Sequence, residues 1–195
     1  RWLGFAGARG RDSLEAVTDM KRVITGAICG AFCAMALSTS GALAQESTNR
    51  VAANTDWSVF VEDNPTECWS VSKPKETVNT RDGRAVAAKR GDILLFVSYR
   101  PGSKVKGQVS FTGGYPFAKG STVSLTVGSN AYQMFTDGEW AWAAPADDAK
   151  IVSAMKRGAS AILRAQSSRG TKTKDTFSLL GFTAAVDEAG KRCGG

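Results

Sequence analysis

From Trp57 to Trp142 the chain is a succession of short segments in which apolar and polar residues alternate, each closed by turn-forming residues. A period of two puts one side of an extended chain into a core and leaves the other in solvent. Trp57, Val59 and Val61 alternate with Ser58 and Phe60; Cys68 and Val71 belong to a second segment that stops before Pro74; Asp82-Gly83 marks a tight turn. Ile93 to Tyr99 is apolar on both sides and reads as a central strand ended by Pro101-Gly102. Val105 to Phe111, Val123 to Val127, Tyr132 with Met134, and Trp140 with Trp142 continue the pattern, with Asp137-Gly138 as another turn. Strands recurring at roughly ten-residue spacing specify an antiparallel sandwich or barrel.

The pattern changes at Pro145. Ile151, Val152 and Met155 have helical spacing, with Asp147 and Asp148 at the start, Lys156 and Arg157 at the end, and Gly158 as a stop. Strand character returns over Ser160 to Ala165 and Lys174 to Phe177. Ser178 then reads as the cap of a last helix through Leu179, Phe182, Val186 and Ala189, which Gly181 weakens. The expected fold is mainly β: an antiparallel β-sandwich-like domain with one or two short helices in its C-terminal half. One domain spans 56–195, and the polar residues 45–55 read as a flexible lead-in.

Upstream, Met20-Lys21-Arg22 is followed by the apolar run Val23 to Leu37 and then by Ala42-Leu43-Ala44. A charged start, an apolar stretch and an A-x-A site form a secretory signal peptide over 20–44, with cleavage between Ala44 and Gln45. Residues 1–19 read as upstream sequence outside the native protein; the alternative is a genuine N-terminal extension with a membrane anchor at Val23 to Leu37. A run of this length falls short of the ~20 residues that span a bilayer, and no transmembrane segment is expected after cleavage. The expected location is the periplasm, with membrane association or secretion as variants.

Cleavage leaves two cysteines, Cys68 and Cys193. In an exported domain an even count reads as one disulfide, although two unpaired thiols would fit the same sequence. The chain contains no His. Ser-His-Asp and Cys-His catalysis are therefore excluded, and two Cys alone make no zinc site. Asp147-Asp148 reads as helix capping rather than a carboxylate pair. Ser153 and Lys156 have S-x-x-K spacing without that enzyme class's partner motifs. The glycines around Tyr115 lack the frame of a phosphate-binding loop. No catalytic residue, metal or cofactor is expected.

The chain carries 25 Lys+Arg against 18 Asp+Glu. Five of those bases (Arg1, Arg9, Arg11, Lys21, Arg22) and three of the acids (Asp12, Glu15, Asp19) precede Gln45, leaving 20 against 15, or +5. Such a balance favours anionic lipid or acidic glycan over basic partners, while export argues against nucleic acid. Trp140 and Trp142, with Trp69, Tyr115 and Phe117, form a candidate aromatic binding surface. The competing reading, that both Trp of the pair fill the core, is the preferred one from spacing alone.

Several stretches resemble the invasion-associated locus B family of exported alphaproteobacterial proteins. They are Trp57-Ser58-Val59, Cys68, Phe135-Thr136-Asp137-Gly138-Glu139-Trp140-Ala141-Trp142, Met155-Lys156-Arg157-Gly158, Ser168-Arg169-Gly170-Thr171, and Phe177-Ser178-Leu179-Leu180-Gly181-Phe182. The resemblance covers nearly all of the chain after Gln45. It implies a periplasmic or envelope-associated β domain and transfers no catalytic residues. Many relatives carry a further Cys pair in mid-domain, which this chain lacks. The expected function is non-enzymatic binding of another envelope component, for instance as the accessory subunit of a membrane complex. The alternatives are a module for acidic glycan or anionic lipid, and a host-interaction factor.

Overall fold

The computed structural model describes residues 49–194. The signal segment 20–44, its cleavage site at Ala44 and Gln45, and residues 1–19 lie outside the described residues. In chain order the strands are β1 (Arg50–Asn54), β2 (Trp57–Asp63), β3 (Thr66–Ser72), β4 (Glu76–Arg81), β5 (Arg84–Ala85), β6 (Leu94–Arg100), β7 (Val105–Thr112), β8 (Thr122–Val127), β9 (Asn130–Asp137), β10 (Trp140–Ala143), β11 (Ser160–Gln166) and β12 (Lys172–Ser178). Helix α1 (Pro145–Arg157) lies between β10 and β11, and α2 (Phe182–Cys193) follows β12.

All twelve strands join one antiparallel sheet in the order β1-β2-β3-β6-β7-β10-β9-β8-β11-β12-β4-β5. The alternation seen in the sequence sets its faces. Trp57, Val59, Cys68, Leu95, Val97, Val109, Phe111, Val123, Leu125, Met134, Leu163 and Phe177 all point to one side and are buried. A sheet this long curls to cover its apolar face. Phe111 of β7 meets Phe177 of β12 edge to face at 6.2 Å, although four strands (β10, β9, β8 and β11) lie between theirs in the sheet. The two halves of the sheet thus face each other in a sandwich-like arrangement. Ile93 to Tyr99 appears as β6, between β3 and β7.

The helices close the open side of the core. Pro145 sits at the first turn of α1, where its missing N–H costs nothing, and the first-turn acids and last-turn bases complement the helix dipole. Asp148 does not cap the helix. Its carboxylate accepts the Val109 N–H at 2.9 Å, and β10 pairs with β7 only as far as Trp142↔Ser110. This fastens α1 to the sheet where β10 gives out. Burial pushes the Asp148 carboxyl above its usual range, against the opposing pull of that hydrogen bond.

Helix α2 lies over β2, β3 and β6. It starts at Phe182, later than the expected Leu179, because Gly181 rather than Ser178 is its cap. Gly181 has φ +86°, and a Cβ there would lie 1.9 Å from the Asn54 carbonyl oxygen, so only glycine lets the two segments meet. Phe182 packs edge to face on Trp57 at 4.8 Å, and Trp57 Nε1 donates to the Ser178 carbonyl at 2.9 Å. At the far end, Cys193 is bonded to Cys68 of β3. Part of the expected lead-in is also ordered. Arg50–Asn54 pairs with β2 as β1, and Ala52 packs on the core.

Candidate functional site

The opposite face of the first half of the sheet carries aromatic rings in place of the charged residues usual on a solvent face. Strand register places Phe60 beside Trp69, and Trp142 beside both Ser110 and Phe135. Phe60 and Trp69 stack at 5.6 Å, Phe96 and Trp140 approach at 5.6 Å, and Trp140, Trp142 and Phe135 continue at 6.3 and 5.6 Å. Aromatic pairs of this kind contribute about 0.5–1.5 kcal/mol beyond burial alone. Phe135 remains 53% and Trp140 40% exposed.

Small residues between the rings form the floor. Ser98 lies opposite Trp69, and Ser110 lies opposite both Phe96 and Trp142. Two grooves result, separated by a ridge of Trp69 and Phe96. The first, of 390 Å³, runs between that ridge and Trp140 and Trp142 over Ser98 and Ser110, and ends at Glu62, Glu67, Arg100 and Gln108. Arg100 is fixed there by Glu67 at 3.5 Å and Gln108 at 2.5 Å. The second, of 590 Å³, has Phe60, Trp69, Val71, Leu94 and Phe96 in its wall and ionic residues at its rim. At that rim Lys75 pairs with Asp56 at 2.5 Å and holds its carboxyl below the usual range.

Trp69, Trp140 and Trp142 of the anticipated aromatic set therefore share one face. Trp140 and Trp142 do not fill the core, contrary to the preferred reading of their spacing. Tyr115 and Phe117 lie elsewhere. Phe117 is buried against Phe111 at 6.1 Å and Tyr115 at 5.2 Å. The Tyr115 hydroxyl shares a 2.6 Å hydrogen bond with Thr173, and burial pushes its pKa up. Both belong to the packing around an internal ion pair. Arg90, 5.0 Å from the Tyr115 ring centre, grips the Asp175 carboxylate with two bonds of 2.7 Å. Burial pushes the Asp175 carboxyl up, and the guanidinium pulls it back only in part.

Sequence reasoning missed Phe60, Phe96 and Phe135 as members of the aromatic face. Phe60 follows the buried Val59 and Phe135 the buried Met134, so parity within the strand was the available signal. Phe96 sits in an all-apolar run where parity has no contrast. The Ser153-Lys156 spacing brings no dyad together: Ser153 accepts a bond from Arg157, and Lys156 pairs with Asp187, each at 2.6 Å. Among the described residues no group of three or more His, Cys, Asp or Glu is placed to hold a metal, and no helix is long and apolar enough to cross a membrane.

Fold and surface define a disulfide-closed, mainly β domain with two covering helices and an aromatic outer face. The sequence profile of the invasion associated locus B (IalB) proteins matches residues 57–190, and the chain belongs to that family. The family is one of exported bacterial proteins. The crystal structure of invasion associated protein B from Bartonella henselae is similar at 16% identity and a TM-score of 0.49, over 71% of this chain and 94% of that one. No curated protein sequence matches the chain.

Proposed function

We propose that this chain is a non-enzymatic protein of the periplasm that binds another envelope protein through its aromatic sheet face. The observation that carries the reading is the row of rings on the outer side of β2, β3, β6, β10 and β9, with Phe135 and Trp140 open to solvent. Contiguous apolar surface on a water-facing sheet is costly to keep and marks interaction sites. Trp is among the residues most often found at the energetic centre of protein interfaces. The grooves on either side of the Trp69–Phe96 ridge provide concave relief for a partner's side chains. The paired charges at their ends supply a polar rim.

The test is affinity purification of the tagged protein from mildly solubilised native envelopes. The wild type should retain a stoichiometric partner through a high-salt wash, because apolar contacts are not screened. Phe135→Ala with Trp140→Ala should release that partner while folding normally. Recovery of the wild type alone, or a double variant that keeps its partner, would refute the assignment.

A further inference from the structure

We propose that the outer face of β11, β12 and β4 is a second binding site, which takes an acidic glycan. Strand register places Arg164 of β11 directly opposite Lys174 of β12, while Lys172 stands two residues along the same face, beside Thr80 of β4. Like charges directly opposite each other in a sheet repel. No carboxylate lines the 500 Å³ groove over them; its polar lining includes Thr80, Thr122 and Gln166. The ion pairs among the described residues engage Lys73, Lys75, Arg90, Arg100, Lys150, Lys156 and Arg192, and none of the three cations of this face. Ser121, whose hydroxyl is buried without a hydrogen-bond partner, lines the same groove.

The chemistry selects the ligand. Residues two apart on a strand are separated by about 6.8 Å, so Lys172 and Lys174 form a row that suits anions repeated along a polymer. The neighbouring hydroxyl and amide groups can exchange hydrogen bonds with sugar hydroxyls. A bilayer surface is a poorer match. The exposed large apolar residues (Val51, Phe135, Trp140 and Leu180) all lie off this face, leaving little to enter the acyl region. The aromatic and basic surfaces are thus separate, and this site stands or falls independently of the protein-binding face.

Calorimetric titration with polygalacturonate oligomers tests the site, with neutral dextran and phosphatidylglycerol vesicles as parallel probes. The wild type should bind polygalacturonate, bind dextran negligibly, and lose affinity steeply between about 50 and 300 mM salt. Arg164→Gln, Lys172→Gln and Lys174→Gln together should weaken binding about tenfold or more. The charge-matched control Lys104→Gln, Lys106→Gln and Lys191→Gln should weaken it less than about threefold, and Trp140→Ala should leave it unchanged. Equal losses in the two triple variants would show mere net charge and overturn the site. So would absent polygalacturonate binding at low salt, whether or not the vesicles bind.

Discussion

Replacing Arg90 by Met should destabilise the domain severely and in a pH-dependent way. Its partner Asp175 has no solvent exposure, and the Arg90 side chain is only 6% exposed. Arg90 supplies two 2.7 Å bonds to the carboxylate and further bonds to the Gly113 carbonyl and Asn79. Removing one partner of a buried pair leaves the other charge uncompensated, at a cost of about 3–5 kcal/mol. For a domain of this size that is roughly 6–20 °C in Tm. Asp175 can escape part of the cost by taking up a proton. Its folded pKa already lies above the ordinary value of 3.8, because the group is buried, and should rise further without Arg90. A carboxyl with a raised folded pKa contributes stability that is present below the unfolded pKa and lost as pH rises through the folded one. The gap between wild type and Arg90→Met should therefore be small near pH 3.8 and widen toward neutrality. The double variant Arg90→Met with Asp175→Leu should regain most of the loss, because it removes both buried charges. Calorimetric melts across pH for the three proteins decide the matter. A single variant that melts like the wild type at neutral pH, or a penalty independent of pH, would refute the reasoning.

Gly181→Ala should cost at least about 2 kcal/mol, since it adds left-handed strain to a Cβ placed against the Asn54 carbonyl; an unchanged urea midpoint would contradict this. Asp148→Asn keeps an acceptor for the Val109 N–H and removes a carboxyl whose folded pKa is raised by burial. The wild type should therefore lose stability relative to this variant as pH rises from 3.8 through the folded pKa, measured as the difference between their urea midpoints across pH.

Much of the architecture is written in local patterns. Strict alternation at Val123-Ser124-Leu125-Thr126-Val127 yields β8, and Pro145 with its following acids opens α1. Where the pattern fails, the cause is an interaction between distant residues. β1 looks like a polar tail because only one edge of it packs, against β2 and α2. Ser178 has the chemistry of a cap, but the helix starts later, where the β1–β2 corner presses on Gly181. Tyr115 and Phe117 read as surface aromatics because nothing nearby in sequence announces the Arg90–Asp175 pair beneath them, 85 residues apart. The aromatic face was half visible. The Trp-Ala-Trp repeat shows that two rings share a side, and only the pairing of β10 with β7 and β9 shows which side that is.

The bond between Cys68 and Cys193 divides the fold by connectivity rather than by shape. Everything from Cys68 in β3 to Cys193 at the end of α2 lies within a single covalent ring, and β1 and β2 lie outside it. The hairpin formed by these two strands is held by ladder bonds, by Trp57 and by the close approach at Gly181. The disulfide does not restrain it, so the ring would stay closed if the hairpin left the sheet edge. Its departure would uncover β3 as a new edge and remove Phe60 from one end of the aromatic row. The same hairpin thus caps the sheet and completes the surface proposed to receive a partner.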